Sequence, residues 1–153
     1  MGTIRNMLKR AQAAQANFDS DLALAIDFVA DDLLYLQREK QLFEGIGNDG
    51  NLIGVYSKAT EAFSEGIQGI GYPKREGDPF NFYASGSLFK SFSYQFSGGS
   101  KLEVIATDSK VDELRKRYPT MIGLSPENTA EFNYKYLLNA LRGTISRHFL
   151  RQY

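Results

Sequence analysis

The sequence predicts an α+β fold with long N-terminal helices, a small antiparallel sheet and C-terminal helices. Apolar residues recur at helical spacing over residues 21–44, and a serine–proline pair opens a helical stretch near the C-terminus. Between them, at about 91–107, two short segments alternate apolar and polar residues on either side of a glycine turn. The 153 residues contain no internal repeat and no linker, so we expect a single domain over 1–153.

The first third of the chain is predicted to be helical. Residues 4–16 are rich in Ala, Gln, Lys and Arg, which favour helix, and we expect residues 1–18 to form an N-terminal helical arm. After a break at residues 17–20, Asp19 or Ser20 is expected to cap a second helix. That helix is predicted to run from Asp21 to Glu44, about 36 Å, and to end at the glycines that follow. Its predicted buried stripe consists of Leu22, Ile26, Val29, Leu33, Leu36 and Phe43.

The middle of the chain is expected to contain short elements and a long loop. Residues 45–51 form a turn by composition, residues 52–56 are predicted as a short strand, and Ser57 is expected to cap a helix over residues 58–64. Residues 65–87 then lack periodicity, and a loop of this length is usually functional or disordered.

Aromatic residues in this loop argue against disorder, and two interpretations stay open. The loop either orders against a partner or is a surface loop pinned by its own aromatic side chains. The candidate assembly contacts in and after it are Tyr72, Phe80, Phe82, Tyr83, Leu88 and Phe89.

A β-hairpin is predicted next. Aromatic residues at 92, 94 and 96 alternate with polar ones, as in a half-buried strand, and Ser97-Gly98-Gly99-Ser100 is expected to form the turn. The return strand covers residues 102–107, with aliphatic residues on the face that meets the aromatic ones.

Two helical segments complete the chain. Asp108 is expected to cap a helix that continues to Tyr118 and stops at Pro119. Ser125, followed by proline and glutamate, is expected to start the final helix. The predicted buried side of that helix consists of Phe132, Tyr136, Leu138, Leu141, Ile145 and Phe149.

Composition excludes several functional classes. The absence of cysteine excludes disulfide scaffolds, thiolate zinc sites and cysteine nucleophiles. Eighteen basic and eighteen acidic residues give zero net charge, which argues against a generally basic nucleic-acid binder. No apolar run approaches the roughly 20 residues of a membrane span, and no secretion signal begins the sequence. We therefore expect no membrane partner and synthesis in the cytoplasm.

Three aspartates form a candidate carboxylate site. Asp27, Asp31 and Asp32 lie within one and a half turns, as metal-binding or acid–base carboxylates would. Helix-borne metal sites usually add a Glu-x-x-His pattern, which is absent, so a solvated helix face is the simpler interpretation. The sequence also has no phosphate-binding loop and no Gly-x-Ser-x-Gly motif. No catalytic residue, metal or cofactor is assigned.

Two groups of basic residues also have simple explanations. His148, the single histidine, lies near three arginines at the end of the last helix, where positive charge is favourable. A second group lies beside acidic residues that dilute its charge, so a contact with DNA stays open without support. The arginines near His148 are Arg142, Arg147 and Arg151. The second group consists of Lys110, Arg115, Lys116 and Arg117.

Several short motifs follow one another over residues 37–150. They are Gln41-Leu42-Phe43-Glu44-Gly45, Asp49-Gly50-Asn51, Tyr56-Ser57-Lys58-Ala59-Thr60, Ser85-Gly86-Ser87-Leu88-Phe89-Lys90-Ser91-Phe92, the hairpin, and a Tyr-x4-Gly-Leu-Ser segment ending at Ser125. This arrangement resembles the tail-completion and virion-morphogenesis proteins of tailed bacteriophages. In that family an L-S-x-x-T passage precedes a TG-x-L-x-x-S-I segment, a hairpin and a C-terminal helix.

The resemblance implies a non-enzymatic structural protein of the virion, made in the host cytoplasm. It implies a ring-forming head–tail connector, neck or tail-completion subunit, with six or twelve copies in a homo-oligomeric ring. The long N-terminal helix and residues 65–87 would contact neighbouring copies or adjoining portal, connector or tail proteins. Two other classes stay open: a small metal-dependent enzyme with a carboxylate site, and an adaptor that binds peptides at a sheet edge.

Overall fold

The N-terminal region is a series of helices with two changes of backbone geometry. The computed structural model describes residues 4–65, 72–97 and 101–150. Helix α1 (Ile4–Ala16) agrees with the prediction and is separated from α2 (Phe18–Phe28) by Asn17 alone. After Val29 the chain continues as α3 (Ala30–Tyr35) and then widens into a first π-helical segment (Leu36–Leu42).

The predicted continuous helix from Asp21 to Glu44 is therefore wrong. It begins earlier, at Phe18, without a side-chain cap from Asp19 or Ser20, and it is interrupted at Val29, where φ is −111° and ψ is 18°. The Val29 side chain is nevertheless buried in the core, so the interruption accompanies packing against distant residues, which helical periodicity does not report.

Gly45 ends this helical region, as predicted. Its φ of +74° is the left-handed conformation that favours glycine, and its amide donates to the Leu42 carbonyl at 3.1 Å. A side chain there would also collide with the neighbouring loop, because an added Cβ would lie 2.7 Å from the Phe80 carbonyl oxygen.

The C-terminal helices lie antiparallel to the N-terminal ones. Helix α7 (Pro126–Glu131), a second π-helical segment (Phe132–Leu137) and α8 (Leu138–Leu150) follow one another. They contact the first π-helical segment, α3 and α2 respectively. Ser125 starts this run as predicted, because its Oγ accepts a hydrogen bond from the Asn128 amide at 3.3 Å.

The predicted buried side of the last helix is confirmed only at Phe132. The other predicted positions whose side chains are described are half-buried, and the Phe149 side chain lies outside the described residues. The half-buried positions are Tyr136, Leu138, Leu141 and Ile145.

The β-hairpin is confirmed. Strands β1 (Phe92–Phe96) and β2 (Leu102–Ala106) pair antiparallel, and each aromatic residue of β1 that was predicted to face an aliphatic residue does so. The pairs are Phe92 with Ala106, Tyr94 with Val104, and Phe96 with Leu102. The predicted glycine turn includes residues 98–100, which lie outside the described residues.

The middle of the chain contains one correct and one wrong prediction. Helix α4 (Lys58–Glu65) forms where expected, and the Ser57 Oγ accepts from the Thr60 amide at 3.3 Å. The strand predicted over residues 52–56 does not form, since this segment makes only isolated bridges, from Leu52 to Ile46 and from Val55 to Pro79. Its backbone hydrogen bonds are divided between residue 45 and residues 77–80, so no regular ladder forms.

Two short helices flank the hairpin. Helix α5 (Ser87–Ser91), which the sequence did not predict, follows Gly86 at a φ of +80°. Helix α6 (Val111–Arg117) starts later than the predicted cap at Asp108. The Asp108 carboxylate accepts from the Lys110 amide at 2.9 Å, so this aspartate orders the turn before the helix.

Among the described residues, two clusters hold most of the buried apolar side chains, and Leu22, Ala25 and Ile26 of α2 are buried outside them. The first joins the end of the N-terminal helices to α5, β1 and α6, and the second joins α3 to the second π-helical segment. The first consists of Leu42, Leu88, Phe89, Phe92, Val111 and Met121, and the second of Val29, Leu33, Leu36 and Phe132.

Two fully buried glutamines connect the N-terminal helices to residues 121–125. The Gln37 amide donates to the Met121 carbonyl at 3.1 Å and accepts from the Gly123 amide at 2.8 Å. The Gln41 amide donates to the Gly123 carbonyl and accepts from the Ser125 amide, each at 2.7 Å. This backbone segment therefore obtains its buried hydrogen bonds from side chains instead of from another strand.

Candidate interaction surfaces

The six predicted assembly contacts fall into two groups. Leu88 and Phe89 are 7% and 4% exposed and belong to the first core cluster, so their assignment as surface contacts is wrong. Both side chains point inward from helix α5, and no helix was predicted at this position from the sequence. Tyr72 is exposed. Phe80, Phe82 and Tyr83 are half-buried.

Ring-to-ring contacts hold the loop over residues 72–83 against the body of the protein. Tyr72 lies edge-on to Phe43 at 4.9 Å and to Tyr83 at 5.1 Å, between ring centroids. Phe80 makes similar contacts with Tyr56 at 4.9 Å and Tyr118 at 5.4 Å. Edge-to-face pairs of this kind contribute about 0.5–1.5 kcal/mol each. The geometry of residues 72–83 favours a surface loop held by its own aromatic side chains. Residues 66–71 of the predicted loop lie outside the described residues.

A buried lysine ties the same loop to residue 56. The Lys74 ammonium donates to the Tyr56 hydroxyl at 3.0 Å, to the Tyr83 carbonyl at 2.5 Å and to the Asn81 side-chain oxygen. All three acceptors are neutral, and burial lowers the pKa of Lys74 to about 8. Because every N–H bond of the ammonium is used within the loop, the arrangement suits a structural cross-link better than a nucleophile.

Helix α1 presents an exposed apolar face, which we call the arm face: Ile4, Met7 and Leu8. These residues lie one helical turn apart on one side of the helix, and Ile4 is 86% exposed. Arg5 and Lys9, also exposed, flank them. Residues 4–16 contain three basic residues and no acidic one, so this helix is positively charged.

Helices α2 and α3 also carry exposed side chains on either side of Val29, and we call this set of five residues the outer face: Leu24, Asp27, Phe28, Asp31 and Tyr35. Phe28 is 83% exposed, and the other four are also exposed. Residues 18–35 contain five aspartates and neither lysine nor arginine, so the charge of this region is opposite to that of α1.

An apolar cavity of about 660 Å³ separates α2 from the hairpin and the second π-helical segment. Leu22 and Ile26 line it from α2, Val104 from β2 and Phe132 from the opposite side. Its charged lining residues, Glu103 and Arg115, are both exposed, so the cavity offers a mostly apolar surface.

The carboxylate hypothesis gains no geometric support. Asp27 accepts a hydrogen bond from the Tyr94 hydroxyl, which raises the pKa of Tyr94, and Asp31 is exposed. Across residues 4–65, 72–97 and 101–150, no group of three or more His, Cys, Asp or Glu residues is placed to hold a metal ion.

The two basic groups differ in how much of them the structure describes. The members on and before α6 are all exposed, and the Arg117 guanidinium lies 5.8 Å from the centre of the Tyr118 ring. They form no basic face free of acids, because Asp112 and Glu113 are exposed on the same helix. The side chains of His148 and Arg147, and the whole of Arg151, lie outside the described residues.

Comparison with protein-family models, curated proteins and solved structures finds no match. None of the helices that the structure describes combines the length and the apolar character needed to cross a membrane.

Proposed function

We propose that the chain is a non-enzymatic structural subunit of a bacteriophage virion, a ring-forming head–tail connector or tail-completion protein. The observation that carries the proposal is the exposure of large apolar side chains on the N-terminal helices, above all Ile4 on α1 and Phe28 on α2. Contiguous exposed apolar surface on a soluble domain marks a contact with another protein or a membrane. The motif order over residues 37–150, which resembles phage tail-completion proteins, supports the first of these.

A connector subunit acts by self-association and by contact with adjoining rings. A surface that meets a different surface of the next copy generates a closed ring when the rotation closes. The zero net charge of the chain limits repulsion among many copies packed together. In this proposal the protein is made in the host cytoplasm, and its partners are further copies of itself together with portal or tail proteins.

Light scattering and negative-stain electron microscopy of the purified protein test this function. We expect closed rings of six or twelve copies, formed by the protein alone or after addition of the portal or tail protein encoded beside it. A protein that stays monomeric at every concentration, both alone and with those partners, would contradict the proposal. Genes for portal, capsid and tail proteins next to this one would support it independently.

A further inference from the structure

Helix α1 contacts α8 and α2 of its own molecule, but its apolar arm face is left exposed. Every residue of α1 whose side chain is described is exposed, except the half-buried Arg10. Backbone hydrogen bonds continue from α1 through Asn17 into α2, so the C-terminal end of α1 is held, whereas all side chains of its first turns, residues 4–9, are exposed. An amphipathic helix is normally stabilised by packing of its apolar face. The arm face therefore lacks the covering surface that would stabilise it.

The outer face of α2 and α3 has the matching character. It combines three exposed apolar side chains with the exposed carboxylates of Asp31 and Asp27, the second of which also accepts a hydrogen bond from Tyr94. The arm face combines three apolar side chains with Arg5 and Lys9. Apolar surface can be buried between the two faces while opposite charges meet at the rim. Charge complementarity of this kind selects partners and fixes their register.

The connection between α1 and α2 prevents this pairing within one molecule. Asn17 alone separates the two helices. Antiparallel helices in bundles are joined by roughly 2–8 residues, so one residue is too short for α1 to turn back over the outer side of α2. An outer face that covers the arm face must therefore belong to another molecule.

We propose that α1 of one copy docks on the outer face of a second copy. This inference deepens the proposed function and rests on it, since it names the two surfaces that join neighbouring subunits. Because the two surfaces differ, the pair formed by the first contact still has a free outer face on one copy and a free arm face on the other. Such a head-to-tail contact continues until a ring closes.

Two variants test the contact. Met7→Ser/Leu8→Ser removes apolar groups from the arm face, and Phe28→Ser does so on the outer face. All three side chains are exposed, so both variants should keep the fold, as circular dichroism would verify. Phe63→Ser is the matched control, because Phe63 is 72% exposed on α4 and belongs to neither face.

Sedimentation velocity gives the oligomeric state. We expect the wild type and Phe63→Ser to sediment as the same assembly, and each interface variant to sediment as a monomer. An equimolar mixture of the two interface variants should form a heterodimer and nothing larger. In that mixture the intact α1 of Phe28→Ser meets the intact outer face of the other variant, and the remaining two faces are damaged.

The possible results separate this inference from the proposed function. If the wild type forms rings that either interface variant retains, the docking is wrong and the ring-forming function stands. If both variants are monomeric and their mixture stays monomeric at high concentration, the two faces do not meet each other and the inference is overturned. If the wild type is itself monomeric, alone and with portal or tail protein, both the inference and the function fail.

Discussion

Gln37 and Gln41, four residues apart in the first π-helical segment, bond to alternate peptide groups of residues 121–125. Each side-chain amide donates to one carbonyl and accepts from the backbone amide two residues further on, in the manner of a neighbouring strand. Both glutamines lie in the first π-helical segment, whose turns are wider than those of an α-helix. From there each side chain reaches its own pair of peptide groups, so both bond at once.

Replacement of Gln41 by methionine should therefore destabilise the fold strongly. Methionine fills a similar volume but leaves the Gly123 carbonyl and the Ser125 amide without their partner. Each buried polar group left unpaired costs about 1–3 kcal/mol, so we expect a loss of about 2–6 kcal/mol in the free energy of unfolding, measured with urea. The control is Gln95→Met, on an exposed position of β1, and it should change little. Equal stability of the two variants would contradict this role of Gln41.

The buried Lys74 should make stability depend on pH. Burial lowers the pKa of Lys74 from 10.5 to about 8 in the folded protein. Between these two values the unfolded chain holds a proton that the folded chain has released, so the free energy of unfolding rises with pH. Below about pH 8 both states are protonated, and the contribution of Lys74 no longer changes.

Urea unfolding of the wild type and Lys74→Met between pH 7 and 10 measures this effect. We expect the stability of the wild type relative to Lys74→Met to increase above pH 8. Lys90→Met, which removes an exposed lysine of α5, should follow the wild-type curve. If the free energies of unfolding of the wild type and Lys74→Met change with pH in parallel, Lys74 titrates alike in the folded and unfolded chains and the prediction is wrong.

Alanine substitutions at Gly45 and Gly77 distinguish the cost of a strained backbone from the cost of a steric collision. Both have positive φ, +74° and +84°, but an added Cβ at Gly45 meets the Phe80 carbonyl at 2.7 Å, whereas at Gly77 it meets nothing within 4 Å. Gly77→Ala should cost about 1–2 kcal/mol from the left-handed backbone alone. Gly45→Ala should cost about 1–3 kcal/mol more because of overpacking. Thermal unfolding would measure both, and a similar drop in Tm for the two variants would contradict the collision.

Phe89 and Tyr72 should respond differently to truncation, although the sequence placed them in one group. Phe89→Ala leaves a cavity in the first core cluster, and we expect a loss of about 3–5 kcal/mol in the free energy of unfolding. Tyr72→Ala removes an exposed ring with edge contacts to Phe43 and Tyr83 and should cost about 1–2 kcal/mol. A small effect at Phe89, measured by denaturant unfolding, would restore it as a surface contact.

The sequence by itself determined the features that depend on neighbouring residues. The composition of residues 4–16 predicted α1, and the Ser125–Pro126 pair located the start of α7. The two-residue alternation predicted which residues of β1 and β2 share a face, as the observed pairs confirm. These features follow from backbone preference, capping and side-chain direction, which act over a few residues.

Only the tertiary structure decided the features that depend on distant contacts. The interruption at Val29, the inward turn of Phe89 and the burial of Lys74 each involve partners far along the chain or across the core. The glutamines show the same limit, because their type suggests a solvated helix face and their partners lie more than eighty residues away. The helix propensities of most residue types differ by less than about 1 kcal/mol. Burial of a large apolar side chain contributes more than that, so tertiary packing overrides local propensity.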